Sequence, residues 1–236
     1  MMITENINRI KSELPATVKL VAVSKFHPFE SIQEAYDAGQ RCFGESRPQE
    51  LLAKVKCLEE LRSETGDPMY MSDLEWHFIG HLQTNKLKMV LPYVSLVQSV
   101  DSLRLLKAIN QWGSTNGKIT DILLECHISS DESKQGFSKD ELLDLISSSE
   151  SYPYVRVRGL MGMASLTDDE AIIREDFQNL LDLNDMLSDW IGESPMLPPS
   201  SCCGEISMGM SGDYPIAVSM GATIIRLGSI IFGERI

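Results

Sequence analysis

Apolar residues fall along this chain in two alternating rhythms. Ile3, Ile7, Ile10 and Leu14 recur at helical spacing and Pro15 ends the series, which predicts an N-terminal helix. Short apolar runs then alternate with amphipathic stretches. The runs predict strands near Lys19–Ser24, Arg41–Gly44, Trp76–Gly80, Ser95–Ser99, Asp121–His127, Val155–Met161, Glu205–Met208 and Ala222–Leu227. The second, fourth and seventh are short or weakly patterned.

The helices between them carry clearer marks. Ser46-Arg47-Pro48 ahead of Leu51, Leu52, Val55 and Leu58 supplies a cap, an early proline and an apolar stripe. Ser138-x-x-Glu141 and Thr167-x-x-Glu170 both have capping-box spacing. The longest helix is expected from Asp168 to about Asp189, with Ile173, Phe177, Leu180 and Leu187 along one side.

Strands that alternate with helices imply a parallel sheet, and eight such units favour a closed (β/α)8 barrel over an open doubly wound sheet. The whole of residues 1–236 is then one domain. After the eighth run only "GSIIFGERI" remains, one or two helical turns, so the extra N-terminal helix is expected to cover the seam between the last strand and the first. The stretch "GESPMLPPSSCCGE" comes too late in the chain to separate two domains.

Composition narrows the setting. The formal net charge is −13, a field that repels a phosphate backbone and argues against nucleic acid as a partner. The cysteines, Cys42, Cys57, Cys126, Cys202 and Cys203, are odd in number and contain no C-x-x-C pair, as expected of reduced thiols in a cytoplasmic protein. The N-terminus has no secretory pattern and no apolar run is long enough to span a bilayer, so no membrane association is expected.

Chemistry enters at "VKLVAVSKFHP", where an apolar strand delivers Lys25 to its C-terminal end. In a (β/α)8 barrel the active site occupies that end of the strands, and phosphates often bind in the loops after strands seven and eight. Those loops read "SMGMSGDYP" and "RLGSIIFG", in which Ser211, Gly212, Gly228 and Ser229 can offer hydroxyls and backbone N–H groups to an anion. Arg226 interrupts an apolar strand, and a buried guanidinium demands a partner, either a carboxylate inside the barrel or a ligand. An amine nucleophile, an anion cradle and a fixed cation suit pyridoxal 5′-phosphate (PLP). Met161, Met163, Met208 and Met210 flank glycines near strand ends, where they either face a ring or fill the core. His77 and His81 in "WHFIGH" lie on a strand and the loop after it, not on a helix, so a zinc protease site is not expected. His81 is expected near the pocket and His77 in the core. "DESKQGF" would bring Lys134 towards the pocket mouth, or leave it solvated.

The segments "LVAVSK", "EAYDAGQRCFGES", "WHFIGHLQTNK", "SKQGF", "RGLMGMAS" and "SMGMSGDYPIAVSMGATIIRLGSIIFG", in this order, resemble the pyridoxal phosphate homeostasis proteins. That family shares the barrel of the alanine racemase N-terminal domain. The resemblance implies PLP carried as a Schiff base on Lys25, phosphate contacts from Ser211, Gly228 and Ser229, and Arg226 at the pyridine nitrogen, with Met210 beside the cofactor. Ser46 stands where the family commonly has asparagine, and Ser229 where threonine is frequent.

The implied role is holding and delivering the cofactor, with PLP-dependent apoenzymes as recipients and an indirect effect on amino-acid balance. A monomer is expected. The related racemases use a tyrosine base from a second domain of the partner subunit, which this chain is expected to lack, and none of Tyr36, Tyr70, Tyr93, Tyr152, Tyr154 and Tyr214 falls in a motif. A PLP-dependent amino-acid racemase using Lys25 as one base is the alternative, and a cofactor-free Schiff-base enzyme of aldolase type is a third.

Overall fold

A computed structural model describes residues 2–130 and 135–233. Eight parallel strands close into a barrel in sequence order: β1 (Lys19–Val23), β2 (Cys42–Glu45), β3 (Glu75–Phe78), β4 (Leu96–Val100), β5 (Thr120–Cys126), β6 (Val155–Gly162), β7 (Glu205–Ser207) and β8 (Ile224–Leu227). Closure is made by β1 and β8, with Val21 opposite Arg226 and Ala22 opposite Leu227. Every strand foreseen from the apolar runs is present, with ends displaced by a residue or two; the third begins at Glu75 and stops at Phe78.

Alternation along each strand divides the interior in two. Leu20, Ala22, Phe43, Trp76, Phe78, Val97 and Leu124 face outward into the main core beneath the helices. Val21, Cys42, Leu96, Leu123, Met161 and Ile224 point inward as a smaller apolar layer inside the barrel. The register slips between Ile122 and Leu123 where β5 pairs with β6. β6 then approaches β7 so closely at Gly159 that a Cβ there would stand 1.9 Å from the Glu205 carbonyl oxygen; the residue also has φ 151°.

The helices are α1 (Met2–Glu13), α2 (Phe29–Asp37), α3 (Pro48–Thr65), α4 (Leu87–Val90), α5 (Leu103–Asn116), α6 (Lys139–Ser147), α7 (Glu170–Glu193), α8 (Tyr214–Ser219) and α9 (Ser229–Phe232). α1 packs against α2 and α9, the helices that follow β1 and β8, and Asn6 donates to the Ile231 carbonyl at 3.1 Å. It thus covers the seam that four-residue α9 is too short to cover. The Ser138 capping box forms as its spacing predicts. The one foreseen at Thr167 does not. Asp169 caps α7 by accepting from the Ala171 N–H, and the Thr167 hydroxyl accepts from the Asp169 N–H at 3.1 Å instead. Aspartate is the stronger cap, so α7 begins two residues later than the threonine would set it.

Candidate functional site

Lys25 stands two residues beyond β1, in a turn at the C-terminal mouth of the barrel. The turn is fixed from several sides. The Ser24 hydroxyl donates to Glu45 Oε1 at 2.6 Å, and Lys54 Nζ donates to the Ser24 carbonyl at 2.8 Å. The Phe26 N–H donates to Glu50 Oε2 at 2.9 Å, and the Arg47 guanidinium covers the Phe26 ring at 4.4 Å. His27 stacks on Phe232 of α9 with ring centroids 5.0 Å apart. Phe26 itself has φ 68°, a conformation costly for a non-glycine residue, so the surrounding contacts hold this turn against its own preference.

Glu45 and Lys54 form a buried ion pair at 2.5 Å. Burial pushes the Glu45 carboxyl above its ordinary value, while Lys54 and the Ser24 hydroxyl oppose that shift. Its Oε2 has no hydrogen-bond partner among the described residues. Neither residue carries an obvious signal as a member of the lysine turn; the available one was a glutamate inside the buried run "CFGE".

Across the seam, β8 delivers Arg226. It is buried, and Nη1 donates to the Ser207 hydroxyl at 2.5 Å while Nη2 donates to the Gly162 carbonyl at 3.0 Å. Among the described residues no carboxylate comes within ion-pair distance, so the internal salt bridge considered from the sequence is absent. Burial lowers the guanidinium to about 10, against the opposing charges of Glu125 and Asp213; it keeps its proton at neutral pH. Ser207 continues the polar contacts inward to Gln98 and His77.

The two candidate anion loops meet each other. The Gly228 N–H donates to Ser211 Oγ at 3.4 Å. Gly228 lies against Val23, with a would-be Cβ 3.4 Å from the Val23 carbonyl oxygen. Thus Ser211, Gly228 and Ser229 converge on the end of the strand that carries Lys25. Gly212 faces open space, and α9 starts at Ser229 with no side-chain cap on its first turn. The two loops thus place the Ser211 and Ser229 side chains and the start of α9 together beside open space at Gly212. Met210 is 37% exposed, and its N–H donates to Asp213 at 2.5 Å, which closes the loop. Met161 and Met208 are core residues.

The opposite rim holds β5 and the loops after β3 and β4. Glu125 is buried and its carboxyl is pushed up to about 7, chiefly by burial and then by Asp101, with Arg226 and His81 pulling it back. His81 lies on this rim, with Nδ1 2.9 Å from Asp101 Oδ2. His77 is buried and held neutral, its imidazole lowered to about 3 by burial and then by Lys19. Ser46 packs on Gly80, where a Cβ would stand 2.2 Å from the Ser46 carbonyl oxygen, so the strand-three loop fixes its backbone. Lys134 lies outside the described residues.

Comparison with known proteins identifies the family. The alanine racemase N-terminal domain family matches residues 2–236. A pyridoxal phosphate homeostasis protein of Haemophilus influenzae is 34% identical over 245 residues, covering 100% of this chain and 97% of its own. One from Mus musculus is 36% identical, covering 99% of this chain and 83% of its own. The chain belongs to the pyridoxal phosphate homeostasis protein family. Among solved structures, PipY of Synechococcus elongatus with PLP bound superposes with a TM-score of 0.76 at 33% identity, covering 98% of this chain and 100% of its own. Alanine racemase of Clostridium difficile shares the barrel, with a TM-score of 0.70, but at 14% identity and over 56% of its length, which speaks to fold alone. No described helix is long and apolar enough to cross a membrane.

Proposed function

We propose that this protein holds PLP covalently on Lys25 and serves as a carrier of the cofactor, in keeping with the homeostasis role for which its family is named. The observation that carries the reading is Arg226, a buried guanidinium without a carboxylate partner among the described residues, on the strand that pairs with the one leading to Lys25. A buried cation donated only to neutral oxygens fits an acceptor from outside the chain, and the pyridine nitrogen of PLP is one.

Each residue then has a task. Lys25 would supply the amine that holds the cofactor through its aldehyde carbon. Ser211, Gly228 and Ser229 take the phosphate. Arg226 would donate to the ring nitrogen and, having no hydrogen-bond acceptor of its own, would favour the unprotonated ring. PLP supplies an electron sink when bound, and an unprotonated ring makes that sink weak. Met210 borders the phosphate loop, and the asparagine contact common in the family is not assigned to Ser46.

The same residues argue against the racemase alternative, which needs a second base on the opposite face. The Tyr36 hydroxyl is bound to Asp73, Tyr70 accepts from Gln33, and Tyr214 donates to Glu13. Tyr93, Tyr152 and Tyr154 precede β4 and β6, at the N-terminal end of the barrel. Tyr36, Tyr152 and Tyr214 all have phenols shifted upward, away from use as a base. The carrier is proposed to act as a monomer, with PLP-dependent apoenzymes as recipients.

The test is transfer against turnover. PLP-loaded protein is expected to reactivate a PLP-dependent apoenzyme and to form no D-isomer from any L-amino acid beyond the Lys25→Ala control. Steady racemisation lost in Lys25→Ala would overturn the carrier reading in favour of an enzyme.

A further inference from the structure

Beneath Arg226 a row of buried polar side chains crosses the barrel interior. Arg226 Nη1 meets Ser207 Oγ at 2.5 Å, Ser207 Oγ meets Gln98 Oε1 at 2.6 Å, and Gln98 Nε2 meets His77 Nδ1 at 2.7 Å. The row joins β8, β7, β4 and β3. It passes through a layer otherwise lined by Val21, Leu96, Leu123 and Ile224, where unsatisfied polar groups are costly.

The direction of the row follows from counting protons. A guanidinium can only donate. Ser207 therefore accepts from Arg226, and its one hydroxyl proton goes to Gln98, since no other acceptor lies in reach among the described residues. Gln98 then turns its oxygen to Ser207 and its amide N–H to His77 Nδ1. His77 must accept there, so its remaining proton sits on Nε2. The neutral state of His77 agrees with its deep burial.

Resting on the PLP reading above, we infer that Ser207, Gln98 and His77 are positioning residues: a one-way hydrogen-bond column that fixes where the Arg226 guanidinium sits and what it can offer the ring nitrogen. The Gly162 carbonyl holds the second nitrogen. Two independent anchors, from β6 and β7, leave the planar guanidinium little freedom to swing, and an arginine free to swing would lose its aim at a ring atom.

The column also decides a competing reading of its far end. Cys42, Glu75 and His77 bring ligand atoms within 4.8 Å of one another, as a metal ion would require. A cation there would need the His77 Nε2 lone pair, which the column assigns to N–H. Lys19 already occupies Glu75 at 3.1 Å. These groups close the N-terminal end of the barrel, where the column leaves the His77 Nε2 without a lone pair to offer a cation.

Two measurements test the column. In cofactor-free protein labelled with ¹⁵N-histidine, the four histidines are assigned by substituting His27, His81 and His127 in turn. His77 is expected to show an unprotonated Nδ1 and a protonated Nε2 without titrating between roughly pH 5 and 9. An Nδ1–H tautomer, or titration in that range, would overturn the inferred direction. In the second, PLP is titrated into Ser207→Ala and the near-isosteric Gln98→Met, with thermal melting to confirm folding. Affinity is expected to fall about ten-fold, with a changed pH profile of the visible band. Affinity within about two-fold of wild type and an unchanged profile, in whichever variant folds, would overturn the positioning role. Failure of the PLP reading gives a different result: wild type itself binds no cofactor, while the tautomer still reports on the column.

Discussion

At the scale of the residue, the site depends on polar groups placed in strands and turns where apolar ones would be the default. The Glu45–Lys54 pair is an example. Removing one partner leaves an uncompensated buried charge, whereas removing both removes the charge altogether. Lys54→Met is therefore expected to cost about 3–5 kcal/mol in urea unfolding, and Glu45→Gln combined with Lys54→Met is expected to cost less than Lys54→Met alone. Equal losses in the single and double variants would contradict the pairing. Sequence alone led to Lys25, Arg226 and the small residues of the last two loops, because a lysine at a strand end and an arginine inside an apolar run are conspicuous. The argument used for Arg226 applies equally to Glu45, Gln98, Glu125 and Ser207, which also interrupt buried strands. Lys54 could not be found this way: a helix lysine is ordinarily solvated, and here its burial depends on Glu45 in the preceding strand and on Ser24, 30 residues away.

At the scale of the element, the strand order was legible because parallel strands buried on both faces read as plain apolar runs. The ends were not, because a one-residue choice at a rim is made by partners such as Asp169 against Thr167. Caps and close approaches give two tests. Ser138→Ala removes the α6 capping box and is expected to cost about 1 kcal/mol, read as a lower melting midpoint with an unchanged far-ultraviolet spectrum. Gly159→Ala drives a methyl into the Glu205 backbone where β6 meets β7. It is expected to yield insoluble or unfolded protein. A soluble Gly159→Ala with native melting would mean that the strands are not packed this closely.

At the scale of the whole molecule, the barrel brings residues from both ends of the chain to one rim, with a cationic side at Lys25 and Arg226 and an acidic side at Glu125 and Asp101. The acidic side makes stability depend on pH. Glu125 ionises near 7 in the folded chain, above the ordinary glutamate value near 4.3, so the folded state holds that proton more tightly. Its contribution is fully present below the unfolded value and is lost as pH rises through 7. Glu125→Gln is thus expected to be more stable than wild type at pH 8 by a few kcal/mol, with the difference shrinking towards pH 4, as urea midpoints would report. A difference independent of pH would mean that Glu125 is not buried among Asp101, Arg226 and His81 as described.

The central claim, that Lys25 carries PLP, is tested most directly by borohydride reduction of PLP-treated protein followed by peptide mapping. The account predicts a visible band that disappears on reduction and one stoichiometric pyridoxyl adduct on Lys25, absent from Lys25→Ala. A colourless protein, or an adduct spread over surface lysines and unchanged in Lys25→Ala, would contradict it.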